Sequence, residues 1–85
     1  MIHSFSNRRR AKDTIMLVLD KYGEDKITVF IQEDMVFIDD GDVIPSDDID
    51  ILMHYATKVD ESTIDMSLDN ITELYRGNGL AKFRA

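Results

Sequence analysis

The sequence predicts an α+β domain: an antiparallel β-sheet of four to five strands, an N-terminal α-helix and a short second helix. Three observations carry this. Apolar residues recur at helical spacing between Arg10 and Tyr22, they alternate with polar ones at Ile64, Met66 and Leu68, and Gly or Asn separates short β-rich runs. With 85 residues, 44% hydrophobic and 32% charged, the chain can bury one core and reads as a folded unit rather than a disordered tail. No repeat or low-complexity tract divides it. Residues 10–85 therefore form one domain in this reading, and residues 1–9 a flexible basic arm.

In the first element, Ile15, Met16, Leu19 and Tyr22 fall at i, i+1, i+4 and i+7, and Leu17 and Val18 broaden the stripe into that of an amphipathic helix. Gly23 is its natural stop. From Lys26 to Ile38 the chain is strand-like, with Ile27, Val29 and Ile31 of one parity and a second apolar run at Met35 to Ile38. Either a tight hairpin turns at Glu33-Asp34, or one long strand carries a polar step. The turn lacks Gly and Asn, which weakens the hairpin; two acids halfway along a strand are the stranger arrangement.

Asp39 to Asp48 contains Gly41 and Pro45 and has room for at most a short helical turn. It is not a calcium loop, because the D-x-D-x-D-G spacing and the closing glutamate are missing. Ile49 to Val59 reads two ways. Ile49, Leu52, Met53 and Ala56 make a helical stripe behind Ser46 as N-cap, whereas Ile51, Met53 and Tyr55 alternate as in a strand; periodicity slightly favours the helix. Further on, Ile64 to Leu68 reads as a half-buried strand, and Asp69-Asn70 turns into a strand at Ile71 to Arg76. Gly77-Asn78-Gly79 is hairpin chemistry leading to a last strand from Leu80 to Arg84.

Charge is distributed unevenly. The net charge is −7, yet the first twelve residues hold Arg8, Arg9, Arg10 and Lys12 and no acid. Between Glu33 and Asp65 eleven acids face a single base, Lys58. Such a surface repels nucleic acid and anionic membrane and attracts a basic groove, although an acidic face also simply keeps a small protein soluble. The absence of cysteine excludes disulfides, thiolate metal sites and thiol nucleophiles. The longest apolar run, Ile15 to Leu19, is five residues, too short for a transmembrane helix or the apolar core of a secretion signal. No phosphate loop, Ser/His/Asp order or paired-histidine metal motif is present, and His3 and His54 stand alone. The reading is a protein that is not an enzyme and uses neither cofactor nor metal.

Four segments stand in order along the chain: Val29-Phe30-Ile31-Gln32-Glu33-Asp34-Met35, Asp50-Ile51-Leu52-Met53-His54-Tyr55-Ala56, Asp60 to Thr63, and an Asn-Gly turn before a short last strand. Together they resemble the phage uracil-DNA glycosylase inhibitor family, the first segment matching the family's first strand and the second its second strand. The resemblance implies a DNA mimic whose acidic strand edge enters the enzyme's DNA-binding groove, while a hydrophobic cavity captures the side chain that the enzyme wedges into the duplex. Gln32 and Glu33 match the motif directly, and Asp34 replaces a serine. Asp42, with Asp39 or Asp40, lies nearest to the family's functional glutamates. Phe37, Val43, Ile44, Met53, Met66 and Leu68 stand at the apolar wall positions. The resemblance also implies strand at Ile49 to Ala56, against the periodicity. Its further implications are a 1:1 complex with uracil-DNA glycosylase, no contact with nucleic acid or membrane, a monomer when free, and action in the cytoplasm of an infected host cell.

Overall fold

The computed structural model describes residues 1–64, 67 and 69–80. Its order is β1 (Ile2–Phe5), α1 (Arg8–Tyr22), β2 (Thr28–Gln32), β3 (Met35–Asp39), α2 (Ser46–Leu52), β4 (Thr57–Val59) and β5 (Glu73–Arg76), with 3₁₀ turns at Glu24–Lys26, Glu61–Thr63 and Gly77–Gly79. The strands form one antiparallel sheet in the order β4-β1-β3-β2-β5. With the two helices this is the expected α+β fold.

Residues 1–9 are not an arm. Ile2 to Phe5 form β1, flanked by β3 and β4, and all four residues are buried. Pairing on both sides satisfies the backbone groups that a terminal segment would otherwise give to water. Asn7 then caps α1, its side chain accepting hydrogen bonds from the backbone N–H groups of Arg9 and Arg10. The three arginines make the first turn, at the positive end of the helix dipole, where cations are disfavoured. Two of them have compensating partners: Arg8 reaches the Glu73 carboxylate at 3.5 Å, and the Arg10 guanidinium lies 4.1 Å from the centre of the Tyr55 ring.

Ala11, Ile15, Val18 and Leu19 turn the buried stripe of α1 toward the sheet. Gly23 ends the helix at φ 96° and ψ 158°, backbone that essentially only glycine adopts, and its N–H donates to the Leu19 carbonyl at 3.0 Å. β2 and β3 form the tight hairpin, with Gln32 opposite Met35 and Glu33-Asp34 as the two-residue turn.

The strand implied at Ile49 to Ala56 is corrected to helix followed by a turn. α2 spans Ser46–Leu52, and Pro45, not Ser46, occupies the cap position. A strand would bury Ile51 and Tyr55 on one face, yet both are exposed, while Ile49, Leu52, Met53 and Ala56 pack on the core as the helical period requires. Asp47 and Asp48 in the first turn suit the helix dipole. Gly77–Gly79 is a 3₁₀ turn and leads Leu80 into the core. The expected strand through Ile64, Met66 and Leu68 and the last strand beyond Leu80 lie outside the described residues.

Cross-strand partners share a face of the sheet. His3, Phe5, Val29, Ile31, Val36 and Ile38 face the helices, and the core closes over them with α1, Ile44 and Met53. The opposite face carries Ile2, Ser4, Phe30, Met35, Phe37 and Leu74. There Phe30 and Phe37 stack with centroids 5.0 Å apart.

Candidate interaction surface

The residues expected along one acidic strand edge fall at the two ends of β3, and neither β2 nor β3 is an edge strand. Gln32, Glu33 and Asp34 sit at one end, Asp39, Asp40 and Asp42 at the other. The strand between them spans roughly 13 Å.

At the hairpin end, Glu33 adopts φ 55° and is exposed, as is Asp34. A side chain in this left-handed region costs about 1–2 kcal/mol that glycine would avoid. No hydrogen bond or ion pair to either carboxylate occurs among the described residues. Beside the turn, on the face away from the helices, a groove of about 550 Å³ is lined by Gln32, Glu33, Met35, Phe37, Asp69, Asn70 and Thr72. Its near wall is half-buried Met35 and Phe37, which share a face as residues two apart on a strand must. Thr72 anchors the far wall, donating from its backbone N–H and its hydroxyl to the Ile31 carbonyl at 2.8 and 2.9 Å.

At the other end the carboxylates serve the fold. Asp40 is fully buried; its Oδ1 accepts from the Asp42 N–H at 3.1 Å and lies 3.1 Å from the Met1 ammonium. Its Oδ2 has no hydrogen-bond partner among the described residues. Asp39 accepts from the Gly41 N–H at 2.9 Å, and Asp42 pairs with the Met1 ammonium at 2.8 Å. That hydrogen bond, with the ammonium charge, holds the Asp42 carboxyl below its usual range. Burial pulls the ammonium pKa down, and the hydrogen bonds it donates to Asp42 and Asp40, with their charges, more than offset it, so the pKa is raised. His3, 3% exposed and with no hydrogen-bond partner for Nε2 among the described residues, has its pKa lowered by burial. The charge of Asp40 opposes that shift, and the ammonium and Lys58 add to it.

The hydrophobic wall expected from Phe37, Val43, Ile44, Met53, Met66 and Leu68 does not assemble as one cavity. Phe37 faces away from the helices, Ile44 and Met53 are buried in the core on the helical side, and Val43 is half-buried in the loop before α2. Met66 and Leu68 lie outside the described residues. Met35, Asp69, Asn70 and Thr72, which line the groove that does form, were not anticipated. The shared parity of Met35 and Phe37 was visible in the sequence; the approach of residues 69–72 was not.

Among the described residues no group of three or more His, Asp or Glu side chains is placed to hold a metal ion, and no helix is long and apolar enough to cross a membrane. No protein-family model matches the chain, and neither a curated protein nor a solved structure does.

Proposed function

We propose that this chain is a stoichiometric, non-catalytic inhibitor of uracil-DNA glycosylase, phage-encoded and acting as a DNA mimic in the infected cell. The observation that carries the proposal is Glu33, an exposed carboxylate at φ 55° where glycine would fit without strain. Uncompensated backbone strain of this kind concentrates at functional sites. A carboxylate on a two-residue turn is rigidly presented and can accept the charge-assisted hydrogen bonds that a basic groove offers to phosphate.

In this reading Gln32, Glu33 and Asp34 enter the groove of the enzyme. The cleft walled by Met35 and Phe37 receives the apolar side chain that the enzyme inserts into DNA, replacing the six-residue cavity that the resemblance implied. Methionine adapts to an inserted aliphatic group because its thioether chain is unbranched and flexible. The remaining acids, in a chain of net charge −7, steer the encounter.

One observation favours a second reading. The acids fall at the two ends of β3, which is not an edge strand, and this departs from the acidic strand edge that the resemblance implied. An acidic mimic of another host nuclease or defence complex accommodates that layout equally well. Uracil excision from a labelled oligonucleotide, titrated with the protein, separates them. Loss of activity near one equivalent, with a co-eluting 1:1 complex, supports the first; full activity at large excess eliminates it.

A further inference from the structure

Three of the four large apolar residues that stand exposed among the described residues lie on the helical side: Leu17 at 57%, Ile51 at 73% and Tyr55 at 58%. They border one shallow groove of about 230 Å³ between α1 and the C-terminal end of α2, together with Arg10, Asp13 and Leu52. The stacking of Arg10 on Tyr55 fixes one end of this groove. Contiguous apolar surface of this kind marks an interaction site.

Charge says what covers it. α1 holds Arg8, Arg9, Arg10, Lys12 and Lys21 against Asp13 and Asp20, a surplus of three positive charges. α2 holds Asp47, Asp48 and Asp50 and no base, a surplus of three negative ones. The helical layer is therefore neutral in a chain of −7, so it lacks the acidic repulsion that the rest of the surface presents to another copy. It is also polarised. Lys21 and Tyr22 at the end of α1 both bind Asp48 at the start of α2, the lysine at 2.6 Å, so the two helices run antiparallel. Arg9 and Arg10 then lie at one end of the helix pair and Asp47 at the other.

We propose that this face is the interface of a two-fold dimer of the chain, in place of the monomer expected from the sequence. A two-fold axis near Leu17 and Ile51 pairs their apolar surface with itself and sets Arg9 and Arg10 of one copy against Asp47 of the other. A face with opposite charges at its two ends is self-complementary under that rotation. The proposal is independent of the glycosylase reading, which uses the opposite face of the sheet and the hairpin turn.

Sedimentation velocity on the full chain, from low micromolar to about 1 mM, tests it. The wild type should move from monomer to dimer mass with concentration. Ile51→Asp should remain monomeric at an unchanged melting temperature, because the side chain is already exposed. Arg9→Glu should weaken the dimer at least tenfold, and adding Asp47→Arg should restore most of the loss. A chain that stays monomeric throughout the range, or a dimer that Ile51→Asp leaves intact, would overturn the proposal.

Discussion

The two turns that bound β3 are built from similar residues and do different work. Each carries acids, and each holds one non-glycine residue at positive φ: Glu33 at 55° and Asp42 at 60°. In the Asp39–Asp42 turn the strain is compensated. Asp39 and Asp40 accept backbone N–H groups of the turn itself, and Asp42 gains the ammonium of Met1. At Glu33-Asp34 no such compensation occurs among the described residues. Acidic composition alone therefore says little about role; whether a carboxylate is already satisfied inside the fold distinguishes a structural turn from one free to bind a partner.

Removing the acids in turn sharpens this contrast. Asp40→Ala should have the largest effect, roughly 2–3 kcal/mol of stability, because it strips a buried acceptor from both the Asp42 N–H and the ammonium. In urea denaturation Glu33→Ala should stay within about 0.5 kcal/mol of wild type. Comparable losses for the two would erase the distinction.

Acidification probes the structural side through His3. The folded state lowers this histidine's pKa below 6.5, so above that pH it is neutral both folded and unfolded and nothing is lost. As pH falls through 6.5 the unfolded chain takes up the proton first, and stability declines, by up to ~1.4 kcal/mol per pH unit, until the folded pKa is reached. His3→Phe should flatten the melting profile between pH 7 and 5. Asp42, Asp48 and Glu73, whose pKa values are depressed, withdraw their contribution only at lower pH, as the carboxylates protonate.

A gain is expected at the other turn. Glu33→Gly should raise stability by about 0.5–1 kcal/mol, since glycine adopts φ 55° without strain, whereas Ala at the same site should not. The smallest effect belongs to the exposed Arg8–Glu73 pair. Arg8→Gln should change the melting temperature by no more than the equivalent of about 0.5 kcal/mol, an effect that salt reduces.

Much of this fold was legible in the sequence. The stripe of α1, its stop at Gly23, the paired runs of β2 and β3 and the core of β5 all follow from local period and turn chemistry. The helical period at Ile49 to Ala56 was also sound, and the strand implied there by resemblance was not. β1 escaped notice because Ile2 to Phe5 are too few to show a period, and their burial comes from partners 31 to 57 residues away. The division of the acids was hidden for a related reason. Register decides which carboxylate ends a strand, turns inward or stays on a tip, and register is a property of the folded sheet.

The central claim is that Glu33 is strained for the sake of a partner. Its most direct test is the inhibition constant of Glu33→Gly against uracil-DNA glycosylase beside that of the wild type. The account predicts at least a tenfold weaker inhibitor from the more stable protein. Inhibition unchanged by the substitution would contradict it and leave the turn without a role in binding.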